Sequence, residues 1–354
     1  MHDETTTRRK DAHLELCAKE EVAPVGNFTL FDGVKLVHCA LPELHTSQVD
    51  LSCEFLGKKL RAPILITGMT GGSERATRVN REIAQVAEEV GVAFGVGSQR
   101  AMAERAELTS SFAVRDVAPN TVLIGNIGAV QAAKMSVDSL RKLVDAIGAD
   151  ALAVHLNPAQ ELNQPEGDRD FLRGLETIGS LVKVFGDRLL VKETGCGISP
   201  EVAKRLVDAG VKNIDVSGLG GTSWVRVEEL RSSGVGRQVG AIFAGWGIPT
   251  AAAIASVRAV APHAKLVASG GVRNGLDIAK ALALGADLGG LALPIFRAQQ
   301  ERGIEGVRDE LKALTAALTQ ALALTGSTNV SQLRKKPKVL TGEIKDWLAA
   351  LGAA

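Results

Sequence analysis

The sequence predicts a TIM (β/α)8 barrel, a fold of the α/β class, preceded by an N-terminal extension. Short apolar runs alternate with helical segments eight times along the chain, as in a protein built from repeated βα units. Most of the runs have consecutive apolar residues rather than one at every second position, which is typical of parallel strands covered on both faces. Seven of the eight runs end in polar side chains, where such a barrel keeps its active site. A doubly wound open sheet is the main alternative.

The individual elements are predicted from the apolar runs and from segments rich in Ala, Leu, Glu, Arg and Lys between them. The predicted strands are 63–67, 92–97, 121–125, 149–155, 189–192, 213–217, 265–269 and 288–293. The predicted helices are 75–90, 103–117, 137–147, 171–185, 200–209, 251–259, 276–284 and 307–324, with a further helix near 7–18.

Three regions follow from where this alternation begins and ends. Residues 1–60 form the extension, 61–325 the barrel, and 326–354 a C-terminal tail that either folds onto the body or stays mobile. A glycine-rich insertion of about thirty residues separates Ser217 from the helix at 251, which is longer than a plain connection. Because long loops in compact domains are commonly functional, we expect this insertion to contribute to a site.

Composition and charge exclude several classes of function. Apolar residues make up 45% of the chain, enough for a sizeable core, and the formal net charge of +1 gives no field that would favour nucleic acid or an anionic membrane. The charged N-terminus does not resemble a signal peptide, and no run is long enough to span a membrane. The four cysteines lack the spacing of a zinc cluster or a disulfide framework. We therefore expect a soluble, cytoplasmic protein with reduced thiols.

Polar side chains cluster at the predicted strand ends, and the residues after the fourth strand are the densest group. The run from His155 to Glu161 places an imidazole, two carboxamides and a carboxylate directly after the apolar run 151–154. Buried polar groups without partners cost about 1–3 kcal/mol each, so a core strand has no use for them. The run therefore predicts a site, and the alternative is a polar loop with a turn at Asn157-Pro158. The other strand ends carry 67–72, 98–100, Asn126, Lys192, 217–222 and 269–273.

A phosphate cradle is predicted from the seventh unit. Ser269-Gly270-Gly271-Val272-Arg273 precedes a helix that opens near Leu276, and glycine N–H groups beside a helix N-terminus bind oxyanions in many barrels. The alternative is a plain glycine turn. Barrels of this group bind flavin mononucleotide (FMN) through such a cradle, and Lys192 would then lie beside the flavin ring. A Schiff-base lysine or a structural ion pair are the competing roles of Lys192.

These motifs occur in the order found in the type 2, flavin-dependent isopentenyl-diphosphate isomerases, and the chain resembles this family from Arg9 to about residue 325. No single motif is decisive, but the ordered set is highly specific. The matching motifs are Arg9-Lys10-x-x-His13, Gly68-Met69-Thr70-Gly71-Gly72, Gly97-Ser98-Gln99-Arg100, the run from His155 to Glu161, Val191-Lys192-Glu193, Gly220-Gly221-Thr222-Ser223-Trp224 and Ser269-Gly270-Gly271.

The resemblance implies an isomerase of isoprenoid biosynthesis that interconverts isopentenyl and dimethylallyl diphosphate by a 1,3-proton shift. The reaction would use reduced FMN and Mg²⁺ without net redox change, and NADPH would serve as the reductant of the flavin. The extension would contribute substrate-binding residues and the barrel would bind FMN. Homo-oligomers, tetramers or octamers, are implied as well, together with a small-molecule diphosphate as the partner.

The residue roles are also implied by the resemblance. The flavin would contact Thr67, Gly68, Met69, Thr70, Ser98, Asn126, Lys192, Ser217 and Thr222, with its phosphate at Gly271, Val272, Arg273, Ala292 and Leu293. The substrate would contact Arg9, Lys10, His13, Ser98, Gln99, Arg100, His155, Asn157 and Gln160. The catalytic group would comprise Gln160, His155, Asn157 and Lys192, and Glu161 would bind the metal.

The residue types suit these roles. Two phosphates require converging cations, and arginine can bind them with a bidentate fork. Magnesium prefers carboxylate and phosphate oxygens, which Glu161 and a diphosphate provide. No side chain in the set is a strong acid for an alkene, so the acid role falls to the reduced flavin.

Other functions remain open on the residues alone. An FMN-dependent 2-hydroxy-acid oxidase or dehydrogenase would need a histidine base near an arginine pair, whereas here the basic residues lie apart with Glu161 among them. An aldolase using Lys192 and a non-catalytic barrel that binds a phosphate ligand are further alternatives. Arg9 and Lys10 alone would indicate a solvated helix face. Glu193 points to the opposite side of its strand from Lys192 and is expected to be structural.

Overall fold

The computed structural model describes residues 2–24, 26 and 28–353, with side chains described from residue 10 onward. Its centre is a closed barrel of eight parallel strands in the order β10-β11-β4-β5-β6-β7-β8-β9, which confirms the predicted fold. All eight predicted strands are present. The barrel strands are β4 Ile64–Ile66, β5 Ala93–Gly95, β6 Leu123–Gly128, β7 Ala151–Leu156, β8 Leu189–Glu193, β9 Asn213–Asp215, β10 Lys265–Ala268 and β11 Leu288–Leu291.

Four short strands lie outside the barrel. A hairpin of β2 (Cys53–Phe55) and β3 (Lys58–Leu60) places Phe55 and Leu60 against apolar side chains of the barrel interior, near the amino ends of the strands. Strands β1 (Val34–Leu36) and β12 (Lys338–Leu340) pair in antiparallel register. The C-terminal tail therefore folds onto the body, which is one of the two predicted alternatives.

Helices surround the barrel, and among the described residues none is both long and apolar enough to cross a membrane. The N-terminal helix is α1 His2–Lys19. The helices of the barrel are α2 Glu74–Val90, α3 Arg100–Glu104, α4 Ala129–Ala132, α5 Val137–Ala146, α6 Pro158–Asn163, α7 Gly174–Phe185, α8 Pro200–Asp208, α9 Trp224–Arg231, α10 Gly234–Phe243, α11 Thr250–Val260, α12 Gly275–Ala283 and α13 Leu293–Leu324. The tail carries α14 Val330–Lys335 and α15 Glu343–Ala350.

Several barrel helices begin at a side chain that satisfies a free backbone N–H group. The hydroxyl of Ser73 accepts a hydrogen bond from the N–H of Ala76 at the start of α2, and Ser199 caps α8 in the same way. Pro200 then occupies the first turn of α8, where a missing N–H costs nothing. Helix α2 ends at Gly91, whose φ of 77° is left-handed.

One prediction of local structure is wrong. The predicted helix at 103–117 is replaced by the short helix α3 and a 3-10 helix, Ala106–Ser111. The hydroxyls of Thr109 and Ser111 donate to carbonyls three residues back, a local bonding that competes with an α-helix. The insertion between strand β9 and helix α11, for which no element was predicted, contains α9 and α10.

Candidate functional site

A cavity lies at the carboxyl ends of the barrel strands, beneath the N-terminal helix and the insertion. Every predicted site residue whose side chain is described lines this cavity, except Gln99. The side chain of Arg9 lies outside the described residues. The predicted residues that line the cavity are Lys10, His13, Thr67, Gly68, Met69, Thr70, Ser98, Arg100, Asn126, His155, Asn157, Gln160, Glu161, Lys192, Ser217, Thr222, Gly271, Val272, Arg273, Ala292 and Leu293.

Gln99 lies behind the cavity wall and does not line it. Its side chain is fully buried, its Oε1 accepts from the N–H of Asn126 at 2.9 Å, and its Nε2 donates to the carbonyl of Leu143 at 2.9 Å. Both ends of the carboxamide are therefore used within the protein. The structure gives Gln99 the role of holding the end of strand β6, so it does not support direct contact with a substrate.

His155 is held as a neutral ring at the end of strand β7. Its Nδ1 lies 2.9 Å from Oδ1 of Asn126, whose Nδ2 donates to the carbonyl of Val96 at 3.1 Å. Nδ1 therefore carries the proton, and Nε2 is left as an acceptor. Burial lowers the pKa of His155 to about 3, and the nearby charges of Lys192 and Lys10 act in the same direction.

The rest of the run forms the first turn of helix α6. Pro158 occupies the start of the helix, and Nδ2 of Asn157 lies 3.2 Å from both Oε1 of Gln160 and Oε1 of Glu161. The backbone N–H of Asp168 donates to the other carboxylate oxygen of Glu161 at 2.8 Å. The run is therefore a strand end and a helix start rather than a polar loop.

Glu228 is a part of the site that the sequence did not reveal. It lies on helix α9 and is fully buried, with its Oε1 at 3.0 Å from Nε2 of His13 and 3.3 Å from Nε2 of Gln160. Its other oxygen forms an ion pair with Arg231. Burial would raise the pKa of Glu228, but the hydrogen bond and charge of His13 and the charge of Arg231 outweigh it and lower this pKa.

The N-terminal helix reaches the cavity through the same network. Burial lowers the pKa of His13, although the hydrogen bond that Nε2 of His13 donates to Glu228 opposes this. The ring of His13 also contacts that of Trp224 at a centroid distance of 5.1 Å. The family resemblance placed His13 in the site, and the length of the insertion marked that segment as functional. Neither predicted Glu228, which is 215 residues from His13.

The predicted phosphate cradle is formed by glycine backbone and the starts of two helices. Gly270 and Gly271 have φ of 100° and 81°, which favour glycine. A Cβ on Gly221 would lie 2.5 Å from the backbone nitrogen of Gly271, so the two loops approach closely only as glycines. Among the described residues, the guanidinium of Arg273 has no hydrogen-bond or ion-pair partner, and it lines the cavity here. This donor set fits the phosphate of FMN.

Lys192 lies at the floor of the cavity, and its neighbour Glu193 faces a different environment. Nζ of Lys192 donates to the carbonyl of Glu193. The Glu193 carboxylate accepts from the backbone N–H groups of Thr194 and Gly195, both at 2.6 Å, and of the next two residues. Burial raises the pKa of Glu193 to about 7. Through these hydrogen bonds Glu193 holds the loop that follows strand β8, which is a structural role.

Few side chains at the cavity could bind a metal ion. Among the described residues, no three His, Cys, Asp or Glu side chains converge in a way that could hold a metal ion. Glu161 alone brings a carboxylate to the cavity wall among the predicted site residues. Such a set fits Mg²⁺ held by one carboxylate and by the phosphate oxygens of a ligand, which is a common arrangement for this ion.

Comparison with protein families and known proteins agrees with this geometry. The model of the FMN-dependent dehydrogenase family matches residues 157–340. Isopentenyl-diphosphate delta-isomerase from Ignicoccus hospitalis is 46% identical over 98% of this chain and 97% of its own. The same enzyme from Metallosphaera sedula is 44% identical over 97% of this chain and 95% of its own. That from Nostoc sp. is 44% identical over 93% of this chain and 94% of its own.

Solved structures with a similar fold include mandelate oxidases. A mandelate oxidase variant with a monooxide FMN adduct superposes with a TM-score of 0.67 at 19% identity, covering 96% of this chain and all of the other. A mandelate oxidase with (S)-2-phenylpropionate gives a TM-score of 0.66 at 18% identity, covering 96% of this chain and 97% of the other. At this identity the likeness establishes the fold alone.

Proposed function

Because the chain belongs to the FMN-dependent isopentenyl-diphosphate delta-isomerase family, we propose that it interconverts isopentenyl and dimethylallyl diphosphate by a 1,3-proton shift that requires reduced FMN and Mg²⁺. One observation carries this proposal: a single cavity joins the phosphate cradle at Arg273, the cations Lys10 and Arg100, and the carboxylate of Glu161. A flavin, a diphosphate and a metal ion each need one of these three features.

Residues of the barrel would hold the flavin. The cradle at Gly270 and Gly271, with Arg273, would bind the phosphate, and the loop at Met69 would lie against the ring system. Apolar side chains of Leu14 and Phe296 also line the cavity. These groups would exclude water from the reacting carbon atoms, which strengthens every charge interaction inside the site.

The diphosphate would be bound by Lys10, Arg100 and His155, which all line the same cavity. His155 is neutral in the ligand-free protein because burial holds its pKa at about 3. Its Nε2 is then an acceptor, which cannot donate to a phosphate. The negative charge of a diphosphate favours the imidazolium form, so we expect His155 to take up a proton when the substrate binds.

Glu161 would bind Mg²⁺ together with the diphosphate oxygens, and Asn157 and the backbone of Asp168 fix its carboxylate. Gln160 would orient the reacting end of the substrate. Its carboxamide is fixed at both ends, by Asn157 and by Glu228. When bound, reduced FMN supplies an electron-rich ring that can carry the transferred proton, since the described residues lining the cavity offer no strong acid.

The leading alternative is an FMN-dependent oxidation of a 2-hydroxy acid, because the FMN-dependent dehydrogenase model matches the chain. That reaction requires a histidine base and removes a hydride from the substrate. His155 provides an acceptor nitrogen, but Glu161 and the hydrogen-bonded Gln160 occupy the same wall. A carboxylate beside the substrate would repel the carboxylate of a 2-hydroxy acid.

An absorption spectrum followed by a turnover assay tests the proposal. We expect purified protein to carry a flavin spectrum, and NMR to detect conversion of isopentenyl diphosphate only when both a reductant and Mg²⁺ are present. Activity that persists in the oxidised, metal-free protein would overturn it. Reduction of the bound flavin by mandelate or lactate, without isomerase activity, would favour the alternative.

Three further expectations accompany this function. NADPH is expected to reduce the flavin, the protein is expected to form tetramers or octamers, and its location is expected to be cytoplasmic. Anaerobic titration with NADPH and light scattering of the purified protein test the first two.

A further inference from the structure

Asp215 is a buried carboxylate beneath the site for which the proposed reaction gives no role. It ends strand β9 and is the register partner of Lys192 on strand β8. Both side chains are buried, and both line a small cavity together with Leu65, Ile124 and Leu190 of the barrel interior. The pair therefore lies where the apolar core of the barrel meets the floor of the active-site cavity.

The two oxygens of Asp215 have different surroundings. Oδ1 accepts hydrogen bonds from the hydroxyl of Ser269 at 2.6 Å and from the N–H groups of Ser217 at 3.2 Å and Ser269 at 3.3 Å. Oδ2 is buried without any hydrogen-bond partner among the described residues. A buried oxygen without a partner is costly unless a nearby charge compensates it.

Lys192 is the nearby charge. Three titratable groups face it: Asp215, Glu193 and His155. Burial raises the pKa of Asp215, and the charge of Lys192 is the strongest influence that opposes this rise and favours the carboxylate form. Four backbone N–H groups engage the Glu193 carboxylate, and His155 is neutral because burial lowers its pKa to about 3. Of these three groups, Asp215 is the one with a buried oxygen that lacks a hydrogen-bond partner. The lysine and the aspartate need no direct contact, because charges interact over longer distances where the dielectric constant is low.

We propose that Asp215 is a positioning residue of the active site, whose carboxylate is the counter-ion of Lys192 and so sets the positive charge that the FMN ring meets at the floor of the cavity. This inference rests on the proposed placement of the ring beside Lys192. A lysine without its counter-ion would favour the more negative, deprotonated form of a reduced ring. The counter-ion therefore helps the ring keep the proton that the isomerisation requires.

The variant Asp215→Asn removes the charge and keeps the shape. Its carboxamide oxygen can still accept from Ser269 and Ser217, and its NH₂ group takes the place of the unpartnered oxygen. The measurement is the midpoint potential of FMN bound to the intact protein, by anaerobic reduction against a redox dye at pH 7. We expect a more positive potential than in the wild type, because an uncompensated cation stabilises the reduced flavin.

Four further variants make the result decisive. Asp215→Ser, which is smaller and also neutral, should shift the potential in the same direction and serves if Asp215→Asn does not fold. Asp287→Asn removes a carboxylate at the amino end of the barrel and should leave the potential unchanged. Lys192→Met should make the potential more negative, and adding Asp215→Asn to Lys192→Met should then have a smaller effect than in the wild type.

The outcomes separate this inference from the proposed function. An unchanged or more negative potential in both Asp215 variants, with FMN still bound, would show that Asp215 is only structural. If Lys192→Met shifts the potential and the Asp215 variants do not, this inference alone fails. If Lys192→Met leaves the potential unchanged, the ring does not lie beside Lys192, and both the inference and that part of the proposed function fail.

Discussion

The two ends of the barrel use the same kind of side chain for opposite purposes. At the amino ends of the strands, Arg115 and Arg258 each donate to backbone carbonyls and to one aspartate, Asp150 or Asp287. At the carboxyl ends, the guanidinium of Arg273 has no such partner among the described residues. A cation whose donors are all used within the protein stabilises the fold, whereas a cation with free donors facing a cavity can bind an anion.

Arg115 and Arg258 form matching sets of hydrogen bonds at the amino end of the barrel. Nη1 of Arg115 donates to three carbonyls in the turn that follows it, and Nη1 of Arg258 does the same. Both lie in the pattern Arg-x-Val-Ala-Pro, and each precedes a barrel strand, β6 or β10. These strands are four positions apart in the closed barrel of eight. The short repeat therefore marks equivalent positions on opposite sides of the barrel.

Glu161 at the carboxyl end should give the largest effect. We expect Glu161→Gln to lower Mg²⁺-dependent turnover at least about 100-fold, because a metal ligand supplies several kcal/mol of charge stabilisation. FMN content should stay close to that of the wild type, since Glu161 lies away from the cradle. Turnover is measured by NMR and flavin content by absorbance. An equal loss of turnover and of FMN content would show that Glu161 is not the metal ligand.

Arg273 tests whether free donors at this end bind the cofactor. We expect Arg273→Met to weaken FMN binding about tenfold to hundredfold, since hydrogen bonds to charged groups contribute about 1.5–3 kcal/mol. The urea midpoint of the apoprotein should hardly change, because the guanidinium forms no ion pair with the described residues. Titration of apoprotein with FMN measures the affinity. A lower urea midpoint with unchanged FMN affinity would contradict the proposed difference between the two ends of the barrel.

Arg115 is the matched variant at the other end. We expect Arg115→Ala to lower the free energy of unfolding by about 2 kcal/mol, because several carbonyls and Asp150 lose their donor. Its FMN affinity should equal that of the wild type. Urea unfolding and the same FMN titration measure both. An affinity loss as large as that of Arg273→Met would mean that the two ends do not differ in function.

His155 gives the smallest effect near pH 7, and this effect grows as the pH decreases. The pKa of His155 is about 3 in the folded protein, below its ordinary value of 6.5, so between these values the unfolded chain binds a proton that the folded protein does not. Stability therefore falls as pH decreases through this window, by up to about 1.4 kcal/mol per pH unit. The apoprotein of His155→Gln should lack this component.

Urea unfolding of the wild-type and His155→Gln apoproteins between pH 4 and pH 7 measures this pH-dependent part of the stability. Glu193, whose pKa is raised to about 7, contributes a dependence of the opposite sign, but it is common to both proteins and cancels in the difference. The variant should gain stability relative to the wild type as pH decreases. Parallel curves would show that His155 titrates normally, and that it is not held as a neutral ring.

The barrel could be predicted from the sequence because each strand is marked locally by a short apolar run. A strand such as 151–154 is apolar at every residue, and the polar residues that follow it must share one end of the barrel with those of the other strands. This reasoning groups His155, Lys192 and Arg273 at one end, and all three line the same cavity. The family resemblance added the residues of the N-terminal helix, which no periodicity would assign to a site.

What the sequence could not supply depends on distant contacts. Glu228 is one of two adjacent glutamates in helix α9, which was not predicted, and its site partners His13 and Gln160 are 215 and 68 residues away. Gln99 follows a strand like the true cavity residues, but its side chain turns behind the wall to bond with Leu143. Asp215 belongs to an apolar run, and only the strand register places it beside Lys192.

The central claim is that the cavity at the carboxyl ends uses reduced FMN for isomerisation without net redox change. The most direct test follows flavin absorbance and substrate NMR in one anaerobic sample of reduced holoenzyme with Mg²⁺ and isopentenyl diphosphate in D₂O. The account predicts many turnovers per enzyme, deuterium in the dimethylallyl diphosphate formed, and a flavin that stays reduced. Oxidation of one flavin for each product molecule, or no turnover while 2-hydroxy acids reduce the oxidised enzyme, would contradict it.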